Sequence, residues 1–327
     1  MTLVKRSLTA MLLASLCACG VDAGEPEPLP SEAVRNPDSF SITRGEASYD
    51  GYRRLIQFPG KQETDCPVQD DRTGVLLAFG QSNAANNAEG QLRTAHPAKV
   101  LNYFDGRCYV ARLPLFGASG SNGEYITLIG DKLIEKGIYD SAVIISSGIG
   151  ESSITRWKKG GGLNEMPINT LDSANKDFTT TDVIWHQGES DAAHGLSSRD
   201  YITMFDSLTE SIEEIGVEAP YFISVGTMCG DPRIGYPNTI SDAQNALIDN
   251  TKIFLGANTD ELVSENDRYD ECNFGIRGQI VAADAFAKSI AKFHDNLCNA
   301  VKFVGAYREC RFIYRRSSYL WSSSANW

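Results

Sequence analysis

Between Gly74 and Asp295 the chain alternates short apolar runs with longer amphipathic stretches, and this alternation restricts its fold more than any other feature. The runs VLLAF (75–79), KVLNYF (99–104), AVIISS (142–147), DVIWH (182–186), YFISVG (221–226) and IFLGA (253–257) are five or six residues long. That length suits a strand. Their nearly unbroken apolar character suits strands buried on both faces, as in a parallel sheet. The stretches at 125–137, 201–216, 240–250 and 278–295 have helical spacing instead. Strand alternating with helix predicts an α/β three-layer α/β/α sandwich around a mostly parallel sheet. No internal repeat and no change of composition divides residues 41–327, so these are expected to form one domain with a C-terminal extension. The tail, RECRFIYRRSSYLWSSSANW, is basic and aromatic and fits no element.

Composition narrows the partners. The 327 residues carry a formal net charge of -12, and the acidic groups are spread along the chain, which gives no electrostatic case for nucleic acid or for an anionic membrane surface. A neutral small molecule or a glycan fits better. At the N-terminus Lys5 and Arg6 precede an apolar run from Leu8 to Ala18, the pattern of a secretory signal and too short for a membrane span. Leu16-Cys17-Ala18-Cys19 resembles a bacterial lipobox, which makes residues 1–19 a signal peptide and Cys19 the lipidated first residue of an exported lipoprotein. Gly20 in place of an aspartate leans away from inner-membrane retention, toward the periplasm, outer membrane or cell surface. The Pro- and acid-rich residues 20–40 read as a flexible tether. Setting aside Cys17 and Cys19 leaves Cys66, Cys108, Cys229, Cys272, Cys298 and Cys310. None has metal-site spacing, and an even count in an exported chain suggests disulfides whose connectivity sequence does not resolve. Cys66 with Cys108, Cys229 with Cys272 and Cys298 with Cys310 is the pairing expected here.

Open parallel sheets gather ligands at the C-terminal ends of their strands. Three of the predicted strands end in polar, glycine-containing segments: Gly80-Gln81-Ser82-Asn83, Gly148-Ile149-Gly150-Glu151-Ser152-Ser153, and Gln187-Gly188-Glu189-Ser190-Asp191. A serine after a glycine at a strand end is, by itself, more often a turn or a helix cap than a nucleophile. The three segments would converge on one sheet edge.

The segments GQSN, GIGESSITRW and WHQGESD, followed by DAQNAL and a late D-x-x-N-F, resemble in order and spacing the carbohydrate-acetylesterase branch of the SGNH (GDSL-like) hydrolases. That branch includes sialate O-acetylesterases and the acetylxylan esterases of carbohydrate esterase family six. The resemblance runs from about Gly74 to Lys292. It implies the SGNH hydrolase fold with a flavodoxin-like sheet, an acetylated carbohydrate as substrate, and neither a metal nor an organic cofactor. Ser82 then corresponds to the nucleophile, and its own N–H to one donor of the oxyanion hole. Gln187 corresponds to the side-chain donor, and the glycine donor should come from GASGSNG, at Gly120 or alternatively Gly123. Asp270 corresponds to the acid that orients the base. Asn83, Arg156 and Glu189 are candidates for substrate contact. Glu189 and Asp191 have a plainer reading, holding their loop by hydrogen bonds. Arg156 and Trp157 form either a substrate wall or, for the Trp, part of the core.

One residue departs from the pattern. The family places its catalytic His three residues after the acid, where this chain has Asn273. An amide holds hydrogen-bond geometry but has no titratable nitrogen, so it cannot take the proton of Ser82. Of the four histidines, His186 and His194 flank the QGESD segment, His186 is expected to point into the sheet's packing, and His294 reads as a solvated helix-end residue. His96 has no motif near it. The chain is therefore expected to be a very poor esterase as it stands. Either Asn273 stands for a native His, which would trap a bound ester, or the chain is a natural pseudoenzyme that binds acetylated glycans without turnover. Drift erodes several motif residues rather than one, which favours the first.

Overall fold

The apolar runs do become the strands of one sheet. In the computed structural model, which describes residues 47–230 and 238–303, the chain begins with β1 (Ser48–Tyr49), β2 (Leu55–Gln57) and β3 (Glu63–Thr64), followed by β4 (Thr73–Gly80), β5 (Val100–Phe104) and β6 (Arg107–Val110). Helices and strands then alternate: α1 (Ile126–Glu135), β7 (Ser141–Ser146), α2 (Glu165–Ala174), β8 (Asp182–His186), α3 (Glu189–Ala193), α4 (Ser198–Glu213), β9 (Tyr221–Val225), α5 (Asn238–Leu247), β10 (Ile253–Asn258), α6 (Thr259–Leu262) and α7 (Ile276–Phe303). The main sheet has the order β10-β9-β8-β4-β7-β5-β6-β3. The six strands from β10 to β5 pair in parallel, and β6 and β3 add antiparallel at the edge. With the β5–β6 hairpin set aside, β4, β7, β8, β9 and β10 stand in the 2-1-3-4-5 order of a flavodoxin-like sheet. The hairpin is an insertion between the first two of these strands, and it widens the sheet beyond β7.

The two-residue period of each strand explains why both faces are covered. Val75, Leu77 and Phe79 of β4, with Val143, Ile145, Val183, Trp185, Tyr221 and Ile223, pack on one face against Leu171 of α2, Tyr201 and Phe205 of α4 and Ile240 of α5. Leu76, Ala78, Ile144, Ile184 and Phe222 point the other way, onto Ile126, Ile129 and Leu133 of α1 and Phe286 and Ile290 of α7. Each of these large side chains is essentially inaccessible and contributes on the order of 2 kcal/mol by leaving water.

Several elements differ from the expectation. α2 opens with Pro167 in its first turn, where a missing N–H costs nothing, but the segment carries too few apolar residues to stand out by period. α7 is longer than 278–295, so His294 lies inside it rather than at its end. There His294 Nε2 meets Asp182 Oδ1 at 2.9 Å and the Tyr139 hydroxyl at 2.9 Å, pinning α7 to the base of β8. It is a docking residue, not a solvated cap. Cys66–Cys108 and Cys229–Cys272 are disulfides, as expected. The third pairing involves Cys310, which with the signal peptide, Cys19, the tether and the C-terminal tail lies outside the described residues. Among those described, no helix is long and apolar enough to cross a membrane.

Candidate active site

The nucleophile candidate sits where β4 leaves the sheet. At Gly80 the backbone has φ +132°, and a Cβ there would come within 2.0 Å of the His186 carbonyl oxygen, so only glycine lets the chain turn so close to β8. Gln81 N–H donates to that carbonyl at 2.9 Å, and the chain enters a short 3-10 turn, Ser82–Ala84. β4 and β8 are the first and third strands of the 2-1-3-4-5 order, so Ser82 stands at the topological switch point, where such sheets bind ligands. Among the described residues neither the Ser82 hydroxyl nor its N–H has a hydrogen-bond partner.

A second loop runs beside this turn. Asn86 N–H donates to the Ser119 carbonyl and Asn122 N–H to the Asn86 carbonyl, both at 2.9 Å, pairing Asn86 with Gly120. Gly120 has φ +83°, and a Cβ there would meet the Asn86 carbonyl oxygen at 2.3 Å. The N–H of Gly123 is used by the Ala88 carbonyl at 3.0 Å, whereas that of Gly120 has no partner among the described residues. Of the two glycines, Gly120 therefore has an available donor. Donors fixed by folding and not consumed internally are what a developing oxyanion needs.

The third loop carries the candidate acid. Arg268 and Phe274 form an isolated antiparallel bridge, and Tyr269 N–H donates to the Asn273 carbonyl at 3.0 Å, so residues 269–273 make a tight turn. Asp270 organises it. Its Oδ1 accepts from the N–H groups of Cys272 (3.1 Å) and Asn273 (2.6 Å), and its Oδ2 accepts from Asn273 Nδ2 at 2.8 Å. Glu271 takes a left-handed φ of +64°, a strained conformation for a residue with a side chain. Arg268 Nη1 donates to the Cys272 carbonyl at 2.7 Å while its guanidinium lies 5.1 Å from the Phe274 ring centre. Cys272 is also tied to Cys229, in the segment after β9. Asn273 Oδ1 is buried with no hydrogen-bond partner among the described residues.

Asn83 joins the first loop to the third. It is fully buried, accepts from the Phe274 N–H at 3.0 Å, and donates to Glu189 Oε1 at 3.0 Å and to the Cys272 carbonyl at 3.5 Å. The residues on both sides of Asn273 are thus bonded to the residue after Ser82. This corrects the expectation of substrate contact for Asn83, whose amide has internal partners at both ends. Glu189 is corrected in the same way: it is buried beneath Asn83, with His186 Nε2 at 3.2 Å from Oε1. Burial pushes its carboxyl up, but the charge and hydrogen bond of His186, with the Asn83 amide, pull it below the usual carboxylate range. Tyr125 donates to or accepts from His186 Nδ1 at 2.8 Å, and burial, followed by the nearby Glu189 and Glu124 charges, pushes its hydroxyl well up.

Gln187 also departs from expectation. Its Nε2 donates to Asp191 Oδ2 (2.5 Å), the Ser152 carbonyl (3.1 Å) and Gln81 Oε1 (3.2 Å), and the residue is inaccessible. The amide is turned into the loop packing, with its Nε2 already engaged by internal acceptors. Asp191 holds the loop after β7, accepting from Ser153 Oγ at 2.5 Å and the Ile154 N–H at 2.8 Å. Trp157 is a core residue, bonded through Nε1 to Ser152 Oγ at 2.8 Å, while Arg156 beside it is exposed and has no partner among the described residues. None of the four histidines offers a base: His186 packs against Tyr125 and Phe274, His194 bonds the Ser190 carbonyl, His96 faces Glu135, and His294 anchors α7. Sequence reasoning missed Gln81, whose Oε1 receives the Gly188 and Ser190 N–H groups, and Gln244, which bridges the Gln187 carbonyl and the Gly226 N–H. Both are letters of quoted motifs, GQSN and DAQNAL, which is the signal that could have found them.

A family model described as carbohydrate esterase, sialic acid-specific acetylesterase, matches residues 72–292. Among solved structures, a protein from Arabidopsis thaliana is similar at 17% identity and a TM-score of 0.54, over 68% of this chain and 99% of that one. NanS is similar at 16% identity and a TM-score of 0.51, over 69% of this chain and 98% of that one. These likenesses concern the fold. No curated protein sequence matches.

Proposed function

The chain belongs to the sialic acid-specific acetylesterase family of carbohydrate esterases, and from that membership and the loop geometry we propose that its site is a carbohydrate O-acetylesterase site silenced at the proton-transfer step. Ser82 Oγ, free of internal partners, is the nucleophile toward the acetyl carbonyl carbon of an acetylated glycan. The oxyanion that forms is received by the N–H groups of Ser82 and Gly120, donors of a kind worth ~10²–10³ in rate each. Asp270 orients the residue at position 273, where a histidine would take the Ser82 proton and return it to the departing sugar hydroxyl. Asn273 accepts the orientation and cannot do the transfer. What remains is binding and oxyanion stabilisation, which in serine hydrolases lacking a triad member leaves ~10³–10⁴ over water. Arg156, exposed after β7, is available to a substrate anion such as the carboxylate of a sialic acid.

The observation that carries this reading is the Asp270–Asn273 contact: Asn273 Nδ2 occupies, at 2.8 Å from Asp270 Oδ2, the place an imidazole Nδ1–H would take. The test is acetate release from O-acetylated sialic acid and from acetylated xylan by the chain and by Asn273→His. A gain of about three or more orders of magnitude in the histidine form is expected. Silence of both forms toward both substrates overturns it. A second reading, a glycan-binding pseudoenzyme, is favoured by the same contact, since Asn273 satisfies Asp270 and leaves the pocket intact. It predicts glycan binding that survives Ser82→Ala, with no acetate released by Asn273→His.

Two disulfides, together with the family, support an exported protein in an oxidising compartment. Lipidation at Cys19, with residues 20–40 as the tether, is the anchoring we propose. Recovery of the chain in the membrane fraction, lost on Cys19→Ala, tests it.

A further inference from the structure

Two tyrosines stand half out in water beside the proposed oxyanion donors, and neither takes part in the reaction described above. Tyr269, immediately before Asp270, is 47% exposed, and Tyr49, on β1, is 43% exposed. Each is fixed by its hydroxyl to main chain of the site. Tyr269 donates to the Asn87 carbonyl at 2.9 Å, and Tyr49 to the Gly120 carbonyl at 3.4 Å. The two acceptors lie on paired segments, because Asn86 is bridged to Gly120. The two hydroxyls are therefore bonded to the two segments joined at one isolated bridge, the bridge that carries Gly120.

Tyr49 is supplied by a part of the chain that precedes the family-matched residues 72–292. The β1–β2 hairpin that carries it is docked firmly. Leu55 N–H donates to the Ala118 carbonyl at 2.8 Å and its carbonyl accepts from the Gly117 N–H at 3.0 Å, so the hairpin braces the Gly120 loop through its backbone. Asp50 closes the hairpin turn by accepting from the N–H groups of Tyr52 and Arg54 and from Arg54 Nε. Leu55 and Phe58 bury themselves with Phe116.

Other exposed apolar residues, such as Val68, Leu255 and Leu262, are scattered singly, which is ordinary for a protein surface. The tyrosine pair differs in being anchored at a site edge. A tyrosine loses little conformational freedom when it is held, and its ring offers an apolar face with a polar tip. The C–H face of a pyranose is a suitable match for such a ring, while sugar hydroxyls remain in water.

We propose that Tyr49 and Tyr269 form a second sugar subsite, a platform for the residue linked to the acetylated one, so that the protein takes acetylated oligosaccharide in preference to the free acetylated sugar. This rests on the acetylesterase-site reading for the identity of the ligand. The hairpin is then a specificity element added to the family core.

The test is titration calorimetry of the unaltered chain with O-acetylated sialyllactose and with free O-acetylated sialic acid, repeated with Tyr49→Ala, Tyr269→Ala and the corresponding Phe variants. The readout is the ratio of the two affinities. The trisaccharide is expected to bind roughly tenfold more tightly, with the ratio falling roughly fivefold in each Ala variant and persisting in the Phe variants, which keep the ring. Urea midpoints near that of the parent show that the variants fold. A ratio near one in the unaltered chain, a ratio indifferent to the Ala changes, or no binding of either sugar overturns the subsite. If Asn273→His releases no acetate while the tyrosine-dependent ratio is present, the esterase reading falls and the subsite stands. If it releases acetate and the ratio is absent, the reverse holds.

Discussion

The two disulfides close loops of nearly the same length, with sequence separations of 42 for Cys66–Cys108 and 43 for Cys229–Cys272. In the chain-entropy account each removes about 4 kcal/mol of denatured-state freedom, because the cost depends only on the logarithm of loop length. Replacing either pair by alanine should therefore destabilise the fold by similar amounts, about 4 kcal/mol each, a large part of a typical 5–15 kcal/mol. The functional effects should differ sharply. Cys66–Cys108 fastens the segment after β3 to β6, at the far edge of the sheet from Ser82. Cys272 lies inside the Asp270–Asn273 turn, where its N–H is held by Asp270 and its carbonyl by Arg268 and Asn83. Loss of the Cys229 link leaves those bonds to hold the turn alone, and a displacement of about 1 Å there costs on the order of 10²-fold in rate. In the Asn273→His background the Cys229→Ala/Cys272→Ala pair should lose acetate release by roughly 10- to 100-fold, and the Cys66→Ala/Cys108→Ala pair by less than about twofold. Urea unfolding followed by the fluorescence of buried Trp157 and Trp185 gives the stabilities. Equal loss of activity in the two pairs, or stability losses that differ by more than about 2 kcal/mol, would refute the reasoning.

Two further substitutions test the loop that carries the proposed oxyanion donor. Gly120→Ala forces a side chain into a left-handed backbone and against the Asn86 carbonyl, so it should cost about 2 kcal/mol in urea unfolding and lower acetate release by Asn273→His ~10²-fold, with unchanged values counting against Gly120 as a donor. Glu124, which follows that loop and caps α1 through the Ile126 and Thr127 N–H groups, is pushed up to about 7 by burial, against the opposing hydrogen bonds of Thr127 and Ile126 and the charge of Lys61. Its folded state holds the proton more tightly than the unfolded chain, so the stability it contributes is complete below the ordinary value of 4.5 and is lost as pH rises through about 7. Glu124→Gln should therefore gain on the parent between pH 4.5 and pH 8, by up to about 3 kcal/mol, and parallel stability curves for the two would sink the assignment.

The strands were legible because each is a continuous apolar run, and burial on both faces leaves no other pattern for a parallel sheet to show. DVIWH is β8 residue for residue. The β5–β6 hairpin was half legible, since β6 is an edge strand of mixed polarity, RCYV, and edges have no need of an apolar run. The β1–β2 hairpin was invisible for a related reason: its strands are two and three residues long, and beside the burial of Leu55 it is attached by two backbone hydrogen bonds of Leu55, which no side-chain pattern reports. The site was legible as a set of letters and less so as roles. Ser82, Gly120, Asp270 and Asn273 lie on three loops that the Asn86–Gly120 bridge and the bonds of Asn83 tie together. Asn83 and Glu189 look like substrate groups in the sequence, and Gln187 like an oxyanion donor, because they are polar and lie at strand ends, yet each is inaccessible. A motif does not record on which side of the loop a polar side chain lies, and three loops that meet at one point need as many polar groups beneath the pocket as within it.

On the proposed reading, that division explains how an asparagine at position 273 would silence the reaction and leave the pocket whole. The bonds that hold the third loop to the first are made by Asn83, and those that shape the third loop by Asp270, Arg268 and Cys272. Position 273 contributes its main-chain N–H and carbonyl, which any residue supplies, and one side-chain N–H to Asp270, which an imidazole supplies as well as an amide. Architecture and proton transfer are therefore borne by different atoms. Placing a histidine at position 273 should move the urea midpoint little, within about 0.5 kcal/mol of stability, since no packing element depends on the amide oxygen, which lies buried with no partner among the described residues. An Asn273→His chain that folds as the parent does and releases no acetate would then locate the fault in the chemistry assigned to Ser82, not in the scaffold that presents it.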